Sequence, residues 1–295
     1  NFAAVVDPSP EARQKATKDW NVPQTFADVK DAVDAISPDV AILACPPDVR
    51  MQCFQELQGV RGIILEKPVA SNFDEAQAIV ELSRQRQQLV QVNYWRRADE
   101  NLSTFFRKGL VNYIGDVQAG FALYGNGLHN NASHMIDLVQ GVVGEIAWVM
   151  ATGDATTANP MVGDMNLPFT ITLANGSTIS FSPLNFEYYR EVSLDLWGTT
   201  GRMAFYNETL TILNYPLVKN RSLAGAREIA SDRPEVLTRK RSSAFRKMYN
   251  NLSDAVAGKD NLISPLQLGM ETERIIRAIK LSYERNRSPV SPKYL

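Results

Sequence analysis

The chain is poor in the residues that staple or metallate small proteins. It holds two cysteines, Cys45 and Cys53, and two histidines, His129 and His134, in 295 residues. Two cysteines cannot build a disulfide framework, so a reducing, cytoplasmic setting is expected. The histidines have no cysteine or acidic cluster beside them, and no metal is expected. An excess of charge of one sign is also missing: 31 basic against 32 acidic residues leave a formal charge of −1. Such a surface offers no field to a polyanion, so nucleic acid is not an expected partner. No apolar run approaches the ~20 residues of a membrane-spanning helix, so no membrane association is expected. Glycine (17) and proline (15) are too few for collagen-like or low-complexity sequence. The chain opens on Asn1-Phe2-Ala3-Ala4-Val5-Val6-Asp7, already inside an apolar run. Any targeting peptide would lie upstream of it.

What is present points to two domains, as the length also does. The first hundred residues alternate short apolar runs with helical patterns. The runs are Phe2–Val6, Val40–Ala44, Gly62–Leu65 and Leu89–Tyr94; the helical stretches are Pro10–Trp20, Asp28–Ile36, Val49–Leu57 and Phe73–Gln87. Near-continuous apolar strands separated by helices indicate βαβ units and a parallel, Rossmann-type sheet. The texture then changes, and the boundary is set at 114/115. Asp116–Tyr124 reads as a strand and Asn130–Gln140 as a helix. Alternating strands follow, with Asn175-Gly176 between two of them as a hairpin turn. Helices Ser243–Ala257 and Pro265–Arg285 close the chain. The second part is therefore expected to be an α+β domain with a mostly antiparallel open sheet.

The strand ends carry the candidate chemistry. Asp7 ends the first run; an acidic residue there binds the adenosine ribose hydroxyls, and it equally suits a turn that caps a helix. Its carboxylate repels a 2′-phosphate and no arginine follows directly, which favours NAD over NADP. Cys45-Pro46-Pro47 ends the next run and reads as a rigid cofactor edge or as a plain turn. Glu66-Lys67-Pro68 ends the third. A lysine there can polarise a carbonyl or hydroxyl and relay a proton, or it is an exposed turn residue. Further on, Asn130, His134 and Asp137 stand at i, i+4 and i+7 of the expected helix. A neutral imidazole at the head of such a helix serves as a general base or as a hydrogen-bonded structural group. Arg96 and Arg97 follow the last run and read as substrate contacts or as solvated or domain-bridging residues. The basic stretch 239–247 reads as a solvated face.

In their order and spacing these residues resemble the Gfo/Idh/MocA oxidoreductases. Asp7, Cys45-Pro46-Pro47, Glu66-Lys67-Pro68 and the helix with His134 and Asp137 carry the resemblance across nearly the whole chain. It implies an N-terminal Rossmann domain (1–114) and a C-terminal domain (115–295) whose open sheet mediates homo-oligomerisation. It implies NAD as cofactor, bound by Asp7, Cys45, Pro46, Pro47, Glu66, Lys67 and Asn93. It implies Lys67, His134 and Asn130 as the catalytic residues, with Lys67 and His134 as the acid–base pair, and a sugar-like small molecule bound by Lys67, Arg96, His129, Asn130 and His134. The reaction expected is hydride transfer between nicotinamide and a hydroxyl or keto carbon of a sugar, polyol or nucleotide-sugar. The alternative is a non-catalytic NAD- or sugar-binding regulatory member. Three departures stand out. Asn130 occupies a place where many members have Asp, and an amide can orient a substrate but not exchange its proton. The segment between Gly115 and the histidine helix is short. No Gly-x-Gly-x-x-Gly loop precedes Asp7, which leads to the expectation of roughly 30 further residues upstream and of a gap facing Val6 and Ile42.

Overall fold

The computed structural model describes residues 2–159, 163–238 and 243–295, which leaves part of the basic stretch 239–247 outside the described residues. The chain forms two compact units, Asn1–Asn93 with Arg246–Met270, and Tyr94–Phe245 with Glu271–Leu295.

In the first unit strands and helices alternate. The order is β1 (Ala4–Val6), α1 (Pro10–Trp20), β2 (Gln24–Phe26), α2 (Val29–Ile36), β3 (Val40–Leu43), α3 (Pro47–Glu56), β4 (Gly62–Leu65), α4 (Phe73–Gln85) and β5 (Leu89–Val92). Three helices start on capping side chains: Ser9 accepts from the Ala12 N–H, Asp28 from Lys30 and Asn72 from Glu75. Each satisfies an N–H that the helix itself leaves unpaired. All strand pairs are parallel, as β1–β2 and as β3–β4–β5. Every residue of the central strand β4 is buried, as both-face coverage demands. Val6 and Ile42 are less covered, at 37 % and 47 % exposure. The short β2 carries no apolar run and is legible only from its pairing. Residues 246–270 complete this unit: Gln91 Nε2 donates to the Met248 carbonyl (2.9 Å) and the Val92 N–H to that of Ser264 (2.9 Å).

The second unit contains α5 (Ser103–Lys108), α6 (Val111–Ile114), β6 (Val117–Tyr124), α7 (Ser133–Val142), β7 (Ile146–Ala151), β8 (Thr156–Thr157), β9 (Met165–Asn166), β10 (Phe169–Leu173), β11 (Thr178–Pro183), β12 (Ser193–Gly198), β13 (Gly201–Tyr206), β14 (Thr211–Lys219), β15 (Arg227–Ile229) and β16 (Glu235–Val236). Helix α8 (Ala244–Val256) follows, and α9 (Leu266–Glu284) begins in the first unit and ends in the second. The large sheet runs β15-β14-β13-β12-β6-β11-β10-β7, with β16 on β14. It is antiparallel except where β6 meets β11. Gly176, at φ 86°, makes the turn between β10 and β11, a conformation that glycine adopts without strain. The core gathers α7 and the second half of α9 with alternate residues of the sheet, among them Phe169, Ile171, Phe181 and Leu196. Phe121, Trp148, Met150 and Trp197 of the same sheet stay exposed.

The units therefore divide after Asn93 rather than at 114/115. Leu102, Phe105, Leu110 and Ile114 pack into the second unit's core, which draws α5 and α6 with them. The helix expected over Asn130–Gln140 also differs. Leu128–Ala132 form a π-turn and the α-helix proper starts at Ser133. A π-turn takes an extra residue, so the i, i+4, i+7 register holds only from Ser133 onward. Among the described residues no helix is long and apolar enough to cross a membrane.

Candidate active site

In the first unit the residues singled out from the sequence gather at the carboxyl ends of the parallel strands. Asp7 follows β1; its Oδ1 accepts the Ser9 N–H at 2.8 Å, and the Arg13 guanidinium folds back onto the carbonyls of Asp7 (2.6 Å) and Pro8 (3.0 Å). Sequence adjacency shows no arginine beside Asp7, but one helical turn of α1 brings Arg13 there. Cys45 follows β3, half-buried, ahead of the exposed Pro46. Glu66 and Asn93 end the neighbouring strands β4 and β5, and Asn93 Nδ2 donates to Glu66 Oε1 at 2.6 Å. The Asn93 Oδ1 is buried and has no partner among the described residues. Lys67 is half-buried, and its bond to Pro68 is cis. Sequence reasoning missed Arg50 of α3, which is 2 % exposed and donates to the carbonyls of Cys45, Glu66 and Pro68.

In the second unit the π-turn and the head of α7 hold the other candidates. Asp164 anchors the turn, its carboxylate accepting the backbone N–H groups of His129 (3.3 Å), Asn130 (3.0 Å) and Met165 (2.9 Å). The Gly127 N–H donates to Asn166 Oδ1 at 2.9 Å. Glycine is required at 127: φ is 98°, and a Cβ would lie 2.0 Å from Asp164 Oδ2. Nothing in the sequence around the two-residue strand β9 singles out Asp164 or Asn166. Both ring nitrogens of His129 face α9: Nε2 lies 2.8 Å from Lys280 Nζ and Nδ1 lies 3.4 Å from Glu273 Oε2. An ammonium only donates, which puts the ring proton on Nδ1. His134 is half-buried and meets Tyr94 edge-on, with ring centroids 5.6 Å apart. Burial pushes the Tyr94 phenol well above its usual range, and the Glu273 and Asp137 carboxylates add to that. Neither arginine is solvated. Arg97 Nε bonds Asp137 Oδ1 at 2.8 Å. Arg96 is 1 % exposed, lies over the Trp95 ring and stands 3.7 Å from Glu208. Its Nε and Nη1 have no partner among the described residues. Burial lowers its pKa to about 10, against the opposing pull of Glu208 and Asp137.

Asp137 is 1 % exposed, and burial raises its carboxyl to about 6, outweighing Arg97. The folded protein therefore holds this proton more tightly than the unfolded chain, whose aspartates titrate near 3.8. The group's contribution to stability is full below about pH 4 and is lost as pH rises to 6. Urea unfolding of the protein and of Asp137→Asn should show the first gaining on the second as pH falls through this window, by at most ~1.4 kcal/mol per pH unit. A gap that stays constant or narrows contradicts this assignment.

Residues 1–94 match the sequence model of a family described as "Oxidoreductase family, NAD-binding Rossmann fold", GFO_IDH_MocA. No curated protein matches the chain's sequence. The structure is similar to a levoglucosan dehydrogenase solved with NADH and levoglucosan (TM-score 0.79, 17 % identity, 98 % of this chain and 89 % of that one). It is also similar to an oxidoreductase domain protein from Kribbella flavida (TM-score 0.80, 16 % identity, 99 % and 90 %). A third is an oxidoreductase from Agrobacterium radiobacter in complex with NAD+, L-tartaric acid and magnesium (TM-score 0.76, 14 % identity, 99 % and 91 %). At such identities the likeness shows a shared fold. The first 94 residues thus match the Gfo/Idh/MocA family of NAD-binding oxidoreductases, and the chain as a whole shares the two-domain fold of these structures.

Proposed function

We propose that the protein is an NAD-dependent dehydrogenase or reductase acting on a hydroxyl or keto carbon of a sugar, polyol or nucleotide-sugar. The observation that carries this reading is Lys67, held at the end of β4 beside the Glu66–Asn93 pair within the segment that matches the family. Three features fit a nicotinamide cofactor. A carboxylate ends β1, the Cys45-Pro46-Pro47 edge ends β3, and the buried Asn93 Oδ1 has no protein donor among the described residues. Bound NAD supplies the hydride acceptor, and the rest is the work of side chains. Asp7 binds ribose hydroxyls. Lys67 polarises the substrate oxygen and His134 takes its proton. Asn130 orients the substrate, and Arg96 offers its two buried N–H donors to a substrate oxygen. His129, with both nitrogens turned to α9, holds the turn that presents Asn130 and His134. The levoglucosan and tartaric acid in complexes of similar structures support a polyhydroxylated substrate. The exposed Phe121, Trp148 and Trp197 support a second copy docking on the large sheet, an assembly that sedimentation velocity reads directly.

The test is nicotinamide turnover across a panel of sugars, polyols and sugar acids, with NAD and with NADP. NAD should be preferred by at least about tenfold. Asp7→Ser should narrow that gap, because Arg13 then remains to meet a 2′-phosphate. Adding Arg13→Ala should widen it again. Equal use of NADP by the unaltered protein sinks the role of Asp7, and no turnover with any member of the panel counts against the enzyme reading.

A further inference from the structure

We propose that Arg50 is the positioning residue that aims Lys67; the inference rests on the reading of Lys67 as the group that acts on the substrate oxygen. Arg50 lies in the first turn of α3, where the helix dipole disfavours a cation. It is also 2 % exposed, and burying a guanidinium is costly unless its N–H groups are met. Backbone carbonyls meet them. Nη1 donates to the carbonyl of Glu66 at 2.7 Å and to that of Pro68, and Nη2 donates to that of Cys45 at 2.5 Å. One planar group thus fixes the carbonyl before Lys67, the carbonyl after it, and the end of the adjacent strand. That brackets the stem from which the Lys67 side chain leaves, and it ties the stem to the Cys45-Pro46-Pro47 edge. A lysine at 50 carries a compact ammonium, which cannot reproduce the planar fork across three carbonyls.

The experiment compares the unaltered protein with Arg50→Ala, Arg50→Lys, Lys67→Met and Arg50→Ala combined with Lys67→Met. The first readout needs neither cofactor nor substrate. Amines are labelled with an N-hydroxysuccinimide acetate ester, and the rate at Lys67 is followed by peptide mass spectrometry, with Lys15 and Lys18 of α1 as internal references. Loss of Arg50 should raise the Lys67 rate severalfold and leave the references unchanged, and millimolar guanidinium should reverse the effect in Arg50→Ala. The second readout is steady-state turnover of NAD with levoglucosan or, failing that, with the best polyol found in the panel. Misaiming by about 1 Å should lower kcat about 100-fold with little change in KM. In the Lys67→Met background, removing Arg50 should then cost almost nothing more. Arg50→Lys keeps the buried charge, and it carries both readouts if the alanine variant fails to fold. An unchanged Lys67 labelling rate overturns the inference. So does an equal loss of residual turnover in the Lys67→Met background. Normal turnover by Lys67→Met overturns the reading of Lys67 and the inference with it, whereas loss in Lys67→Met beside normal kcat in Arg50→Ala overturns the inference alone.

Discussion

Replacing Lys67 or His134 with alanine should lower kcat by about 100-fold or more, the scale of a lost general acid–base contribution. The two substitutions differ in what else they disturb. Lys67 leaves a backbone already fixed by Arg50, so Lys67→Ala should spare the melting temperature. His134 packs edge-on against the buried Tyr94, so His134→Ala also removes an aromatic contact worth about 0.5–1.5 kcal/mol. His134→Asn restores much of the volume without a titratable ring, and it should be as slow as His134→Ala but more stable. Steady-state kinetics beside thermal melts separate the two effects. Near-normal kcat in either alanine variant would defeat the acid–base pair.

The second large effect is on stability, at a residue that touches no reacting group. Gly127→Ala should destabilise the second unit by about 3–5 kcal/mol. Part of that comes from a backbone at φ 98°, where an L-residue is strained. The rest comes from a Cβ driven to within 2.0 Å of Asp164 Oδ2. Displacing that carboxylate releases three backbone N–H groups at once, those of His129, Asn130 and Met165. Differential scanning calorimetry should show a loss on the order of 10 °C. An unaltered melting temperature would mean that the turn tolerates a different path.

The regular parts of this molecule were legible from the sequence for simple physical reasons. The run Gly62–Leu65 is apolar at every position because both faces of β4 are covered, and Asn175-Gly176 can hardly be anything but a turn. Pro10–Trp20 begins where Ser9 caps it and ends where Asn21 turns left-handed. The strand-end residues followed from a related rule, since open α/β sheets bind ligands outside the carboxyl ends of their strands. What stayed hidden depends on contacts distant in sequence or on local winding. The π-turn at Leu128–Ala132 leaves the hydrophobic pattern of α7 intact while shifting Asn130 out of register. Asp164 lies more than thirty residues from His129 and Asn130, whose N–H groups it holds, in a stretch without periodicity. Arg50 reads as an ordinary helical arginine until the three carbonyls around it are seen. The pairing of His129 with Lys280 joins residues 151 apart in sequence, and like that with Glu273 it has no local trace.

The return of residues 246–270 to the first unit bears on how the chain is made. Gln91, wholly buried, completes its hydrogen bonds with Met248 and Ser264, 157 and 173 residues further on. At a synthesis rate of about 5–20 residues per second, those partners leave the ribosome on the order of ten seconds after β5 does. Through that interval the nascent Rossmann sheet keeps an open side while residues 94–245 of the second unit emerge behind it. The last step in folding the first unit thus waits until most of the second unit has been made. The waiting strand is where a chaperone, or a neighbouring chain on the same message, would bind first.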